Sequence, residues 1–305
     1  MIATLTLNPS LDYVMELSSI VPGEVNRSRS EQIYPGGKGI NVSLMLKRLG
    51  MDSRCFGFAA GETGEMLKGM LAKNGLNPEF ATVKADGFTR INVKIQGETV
   101  TELNGNGPAL TDSDWTELMR LLGTLSAGDI LVLSGRFPSG SSERLLEKVS
   151  VLQKHGVQLV ADSSGEALRS LLSLHPMLIK PNLSELEELC GRSLPTMEQR
   201  MEAAKAYWVS ACGTGADRIL LSMGGEGALL FWNDGSVRYL ASPKGTVVNT
   251  VAAGDSMLAG CLAGMASNMA PDEILRLAVG CGSATAFSPW LGEAPVFTDL
   301  PERIL

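Results

Sequence analysis

The chain has only two histidines, His155 and His175, and five cysteines, at positions 55, 190, 212, 261 and 281, with no C-x-x-C pair. Histidines so few and so far apart supply neither a histidine-based catalytic triad nor a histidine metal cluster. An odd number of scattered thiols set in apolar patterns reads as buried cysteines rather than a disulfide framework. Long apolar runs are missing too. The longest, such as residues 130–133 and 219–221, are strand-sized, against the roughly 20 residues that a membrane-crossing helix needs. No Lys/Arg block occurs and the formal net charge is −7, which argues against a nucleic-acid-binding surface. The N-terminus enters an apolar strand pattern with no basic segment or small-residue cleavage site, so a cytoplasmic protein is expected. Two nucleotide signatures are also absent. Gly37-Lys38 is followed by glycine and preceded five residues earlier by Gln32, so it is no P-loop, and no G-x-G-x-x-G follows a strand.

What is present is an alternation of strand and helix over 305 residues, a length that suits one large α/β domain. Strands are expected at 2–7, 54–58, 130–134, 157–161, 177–179 and 218–223. Helices are expected at 40–49, from about 64 to 73, and at 111–125, 141–154, 184–190, 198–211, 255–265 and 272–287. The rhythm breaks at 11–34 and 88–104, where short β-forming segments, two of them a hairpin across Gln96-Gly97-Glu98, form a small accessory sheet or lid. The fold class is therefore α/β: a mostly parallel sheet covered on both faces, one domain with a lid. In such sheets ligands gather beyond the carboxyl ends of the strands.

Five stretches carry possible chemistry. Ala252-Ala253-Gly254-Asp255 opens a helix whose residues Leu258, Cys261, Leu262 and Met265 share an apolar face. The unpaired N–H groups of its first turn favour an anion, and Asp255 beside them suits proton abstraction in phosphoryl transfer or simply caps the helix. Gly36-Gly37-Lys38-Gly39-Ile40-Asn41 combines close backbone approach with a cation and an amide, or is a flexible turn with a surface lysine. Arg90, Asn92 and Lys94 alternate with apolar residues and so share one strand face, as a phosphate grip or as a solvated edge. Asn182 and Glu185 sit three apart at a helix start, fit either to hold magnesium through water or to cap the helix. Ser222-Met223-Gly224-Gly225-Glu226-Gly227 follows a buried strand and either offers amides to a nucleotide phosphate or forms a plain turn.

In this order the motifs resemble the ribokinase-like carbohydrate kinases of the phosphofructokinase-B family over essentially the whole chain. The likeness is carried by Thr6-Leu7-Asn8-Pro9-Ser10-Leu11-Asp12, by residues 36–42, by Lys180-Pro181-Asn182 with Glu185, and by residues 249–256. It implies a three-layer sandwich and the use of ATP and Mg2+. Asp255 would be the general base, and Ala252, Ala253 and Gly254 the turn that holds the transferred phosphate. Asp12, Gly37 and Asn41 would bind sugar hydroxyls, and Lys38, Arg90 and Lys94 the phosphate already on the sugar, with Asn92 between them. Lys180, Asn182, Ser222, Gly224, Gly227 and Asn249 would serve ATP, with Asn182 and Glu185 placing the metal. Thr89-Arg90-Ile91-Asn92-Val93-Lys94 resembles the subgroup that phosphorylates the 6-hydroxyl of D-fructose 1-phosphate. Tagatose 6-phosphate, or fructose 6-phosphate, is the alternative substrate, and a catalytically silent sugar-phosphate-binding regulator the second alternative. The resemblance also implies a homodimer formed through the lid. Two residues depart from the pattern: Ala252, where the family usually has glycine, and Arg136, where it has a small residue. If position 252 needs a positive φ, alanine strains it by about 1 kcal/mol or more.

Overall fold

A computed structural model of the chain describes residues 1–97, 99–135, 137, 142–208, 215–297 and 302–303. The first half runs β1 (Ile2–Thr6), β2 (Ser10–Glu16), β3 (Ser30–Gly36), α1 (Lys38–Arg48), β4 (Ser53–Ala59), α2 (Gly61–Lys73), β5 (Pro78–Thr82), β6 (Arg90–Gln96) and β7 (Thr101–Asn104). It continues with α3 (Asp112–Leu122), β8 (Ile130–Ser134), α4 (Ser142–Lys154), β9 (Gln158–Asp162), α5 (Gly165–Leu172), β10 (Leu178–Ile179), α6 (Leu183–Cys190) and α7 (Met197–Lys205). Then come β11 (Ile219–Ser222), a 3₁₀ turn (Gly224–Glu226), β12 (Ala228–Phe231), β13 (Val237–Leu240), α8 (Ala253–Ala266), α9 (Pro271–Ala286) and β14 (Glu302–Arg303).

The large sheet has the order β14-β13-β12-β11-β10-β9-β8-β1-β4-β5. From β11 to β5 neighbouring strands are parallel, and from β11 to β14 they are antiparallel. Side chains alternate between its two faces: Leu131, Leu133, Leu159 and Ala161 enter one hydrophobic core, Val132 and Val160 the other. Burial on both faces is why these strands read as continuous apolar runs. The lid is a separate sheet, β3-β2-β6-β7, in which the central β2–β6 pair is parallel and the outer pairs antiparallel. β6 is thus an interior strand, which rules out the solvated-edge reading of Arg90, Asn92 and Lys94.

Three expectations change. β5 and α5 were not anticipated, and the helix placed at 198–211 is α7, ending at Lys205; positions 209–211 lie outside the described residues, as does Arg136. The opening of α8 is as expected, but its burial is not confined to one stripe. Ten of its 14 residues are buried, because small side chains let α9 approach closely. A Cβ on Gly260 would lie 2.8 Å from the Leu277 carbonyl oxygen and 2.9 Å from the Ala278 Cα, so this position has no room for a side chain.

Candidate active site

The carboxyl ends of β10 and β11, the starts of α1 and α8 and the inner face of the lid enclose a cavity of about 800 Å³. Every site residue expected from the sequence lines it except Glu185, Gly227 and Asn249. At its floor the chain turns into α8 through Ala252, which adopts a left-handed conformation (φ 63°, ψ 2°) as the residue capping the helix. The Ala253 amide donates to the Thr250 carbonyl at 3.3 Å. The next two first-turn amides, of Gly254 and Asp255, belong to the set that no helical carbonyl can satisfy, and they carry the positive end of the helix dipole.

Asp255 is 6% exposed and accepts a 2.8 Å hydrogen bond at Oδ2 from Asn41 Nδ2. Burial pushes its pKa from 3.8 up to about 6. The Asp162 carboxylate adds to the push; Lys38, the Asn41 bond and Lys180 oppose it. A carboxylate of this basicity, ionised at neutral pH and facing a cavity, is suited to accept a proton from a hydroxyl.

Two cations stand beside it. Lys38 opens α1, and its Nζ lies 3.2 Å from Asp162 Oδ1 and 3.6 Å from Glu185 Oε1. Burial works against its charge, but Asp162, Glu185 and Asp255 outweigh burial and hold its pKa above the ordinary 10.5. Lys180, just past β10, is 3% exposed and lies 3.2 Å from the same Asp162 oxygen. Its Nζ would be 3.3 Å from a Cβ on Gly254, so it sits over the opening turn of α8. Asp162 was not singled out in the sequence. An acid at the carboxyl end of a buried strand was the available signal.

The lid supplies the opposite wall. Pairing aligns Asp12 of β2 with Asn92 of β6 and Val14 with Lys94, so period two turns Arg90, Asn92 and Lys94 inward together. Asp12 Oδ1 accepts from Ser10 Oγ at 2.8 Å and from Asn92 Nδ2 at 3.0 Å, and Lys94 Nζ lies 3.2 Å from Asp12 Oδ2. Arg90 donates to the Asn8 carbonyl at 3.2 Å through Nε and to the Gly105 carbonyl at 3.5 Å. Two buried acceptors facing this region, Asn41 Oδ1 and Asn92 Oδ1, have no partner. Polar atoms so buried are ordinarily paired, which marks these as waiting for a donor such as a sugar hydroxyl.

The remaining expectations divide. Asn182 and Glu185 form the capping box of α6: Asn182 Oδ1 accepts from the Glu185 amide at 2.8 Å, and Glu185 Oε2 from the Asn182 amide at 2.9 Å. Glu185 stands behind the cavity wall, against Lys38. Ser222 and Gly224 line the cavity, but Gly227 lies outside it. Its φ is 95° and a Cβ there would come within 2.0 Å of the Leu240 carbonyl oxygen, so it is glycine for the packing of β12 against β13. Asn249 also stands off the wall. It donates to the Pro289 carbonyl at 2.9 Å and accepts from the Val251 amide at 3.0 Å, fixing the approach to the Ala252 turn. Not foreseen as wall residues were Met257, Gly282, Ser283 and Phe287, brought in by the packing of α8 on α9, and the segment around Lys244 and Val247.

A doubly covered parallel sheet, a small sheet lid and a buried acid at the amide-rich start of a helix define a sugar-kinase architecture, and the chain belongs to the pfkB family of carbohydrate kinases, whose model matches residues 5–294. It is 43% identical over 293 residues to the 1-phosphofructokinase of Bacillus subtilis (strain 168), covering 96% of this chain and 94% of that one. It is 34% identical to the D-tagatose-1-phosphate kinase of Bacillus licheniformis, covering 96% and 95%. Among solved structures it is similar to phosphofructokinase-2 from Escherichia coli in complex with substrates and products, with a TM-score of 0.87, 32% identity and coverage of 94% and 93%.

Proposed function

We propose that the protein transfers the γ-phosphoryl group of ATP to the 6-hydroxyl of D-fructose 1-phosphate, giving fructose 1,6-bisphosphate and ADP. The observation that carries this reading is Asp255: a buried carboxyl raised to about 6 beside the free amides of α8 and facing a lid that offers Arg90 and Lys94. The sugar would lie under the lid, its hydroxyls on Asp12, Asn41, Asn92 and the Gly37 turn, and its 1-phosphate on Arg90 and Lys94, while Lys38, close enough to feel the Asp255 charge, would reach the group being transferred. Asp255 takes the proton from the 6-hydroxyl as that oxygen bonds to the γ-phosphorus and the bond to the β,γ-bridging oxygen breaks, so that ADP leaves. Charge developing on the phosphoryl oxygens is met by the Gly254 and Asp255 amides and by Lys180. ATP would extend past Lys180, Asn182, Ser222 and Gly224 towards Lys244 and Phe287. Closure of the lid would keep water away from the γ-phosphate.

No group of three or more His, Cys, Asp or Glu side chains that could hold a metal ion occurs among the described residues. The oxygens of Glu185 and Asn182 are hard donors partly engaged in the α6 cap. Such a set fits Mg2+ that arrives with the nucleotide phosphates and keeps its waters, held at second hand by Glu185 and Asn182. When bound, the ion neutralises phosphate charge as the leaving oxygen departs.

The outer face of the lid supports a homodimer formed through it. Ile33, Tyr13, Val93 and Leu103 stand in one row across all four strands, and Ile33 and Leu103 are 39% and 58% exposed. No helix among the described residues is long and apolar enough to cross a membrane, and Cys55, Cys190, Cys261 and Cys281 are free thiols, in keeping with a cytoplasmic enzyme. A coupled assay with ATP tests the substrate, using fructose 1-phosphate, tagatose 1-phosphate, fructose 6-phosphate, tagatose 6-phosphate and fructose. The highest kcat/KM is expected for fructose 1-phosphate; a preference for a 6-phosphate would reject the assignment, and inactivity on all would favour a silent regulator.

A further inference from the structure

Asp162 has no part in the scheme above, yet it is the most deeply buried charge at the site, with 0% exposure. Its Oδ1 lies 3.2 Å from Lys38 Nζ and 3.2 Å from Lys180 Nζ, while Oδ2 is buried without a hydrogen-bond partner. A carboxylate placed here for stability would be served by one lysine, since a second adds its own desolvation cost and like-charge repulsion. Both lysines instead line the cavity, reaching it from different elements, α1 and the end of β10. Lysine has a flexible four-carbon stem and, unlike arginine, no rigid donor fork. Left alone, two such groups would follow the phosphates wherever charge is greatest.

We propose that Asp162 is a positioning residue for phosphoryl transfer: by drawing Lys38 and Lys180 to one carboxylate oxygen it fixes both ammonium groups against the opening turn of α8, where the transferred phosphoryl group passes. The inference rests on the kinase reading. Fixed charge of this kind favours the transition state over bound ATP, because the cations are already oriented where charge moves and are partly neutralised towards the ground state.

The test is Asp162→Asn, which keeps shape and removes the charge, compared with Val160→Ala in the same strand as a control for general loosening. For Asp162→Asn, kcat should fall roughly 10-fold to 100-fold, the scale of a misplaced group, while the KM for MgATP stays within about 3-fold or decreases, the released lysines binding ground-state phosphate at least as well. Val160→Ala should lower the melting temperature with kcat within about 2-fold. A normal kcat in Asp162→Asn, or the same pattern in both variants, overturns the proposal. Should Asp162→Asn not fold, a structure of the unaltered protein with magnesium and a non-hydrolysable ATP analogue decides. Both lysines should contact phosphate while remaining within hydrogen-bonding distance of Asp162, and departure of both from Asp162 overturns it. If the unaltered protein is inactive on fructose 1-phosphate, the substrate assignment fails by itself, and the nucleotide-bound structure still decides the role of Asp162.

Discussion

Asn41 and Asp255 lie 214 residues apart in the chain and are joined by a buried 2.8 Å hydrogen bond between Asn41 Nδ2 and Asp255 Oδ2. The bond connects α1, which follows the Gly37 turn, to α8. It holds one carboxylate oxygen and leaves the other for a substrate. With Asn41 as donor, Asp255 can be replaced by asparagine without losing an acceptor. Asp255→Asn should therefore fold, bind ATP normally and lose roughly 10²-fold to 10⁴-fold in kcat. Steady-state kinetics with calorimetric titration of nucleotide checks this, and near-normal turnover would remove Asp255 as the base.

The same substitution should stabilise the protein. The Asp255 carboxyl is raised from 3.8 to about 6 by burial and then by Asp162, so the folded state binds the proton more tightly than the unfolded one. Ionisation thus costs stability, none below the unfolded value and all of it above the folded one. The gap corresponds to an order of 3 kcal/mol. Denaturant melts at neutral pH should show Asp255→Asn more stable than its parent, with the difference shrinking as pH falls from 6 towards 4. A less stable variant at neutral pH would contradict the raised value.

Activity should follow the same group. A base with pKa about 6 is mostly ionised at pH 7 and protonated below 6, so kcat/KM should be level near neutrality and fall tenfold per pH unit on the acid side. A pH–rate profile measured with saturating magnesium checks the position of that limb; an acid limb near 4 would mean that substrate binding reverses the effect of burial.

How much of this was legible depended on whether local pattern or long-range packing decides a feature. Strand β8 and the inward face of β6 were readable because apolar runs and period-two alternation are local. The β5 strand was not, since Pro78 and Glu79 in a partly buried edge strand look like loop. α5 was missed although Leu168, Leu171 and Leu172 are buried at helical spacing, because eight residues after Ser163-Ser164 carry little signal of their own. Motif residues next to helix starts, Lys38, Asn41 and Asp255, came together as read. Asp162 and Phe287 did not stand out, because their place at the site is created by strand order and by the packing of α8 on α9. Gly227 and Asn249 were expected at the nucleotide from the family resemblance; neither lines the cavity, and their local surroundings are a close backbone approach and two loop hydrogen bonds, which depend on packing far along the chain.

On the lid, Arg90 donates to the carbonyls of Asn8 and Gly105, which aims its remaining N–H groups at the cavity. Arg90→Ala should raise the KM for fructose 1-phosphate by the equivalent of about 1.5 to 3 kcal/mol, the worth of a hydrogen bond to a charged group. The KM for unphosphorylated fructose and for ATP should change little. An equal loss for phosphorylated and plain sugar would mean that Arg90 supports the lid rather than the phosphate.

Ala252 occupies the left-handed region with φ 63°, where a Cβ crowds the following carbonyl and costs roughly 1 to 2 kcal/mol. It is held there by the Asn249 side chain accepting from the Val251 amide and by the Ser256 amide donating to the Ala252 carbonyl at 2.9 Å. Glycine would adopt this conformation without strain but would also free the unfolded chain, a penalty of about 0.4 to 1 kcal/mol. Relief of strain is the larger effect, so Ala252→Gly should stabilise the protein by up to about 1 kcal/mol. Since the turn is fixed from both sides, kcat should remain within about 2-fold, because the amides of Gly254 and Asp255 keep their aim. Thermal melts and initial rates on the same preparation check both parts. A destabilised Ala252→Gly would show that the alanine methyl, packed at the edge of the core with Val251, contributes more than its backbone strain costs.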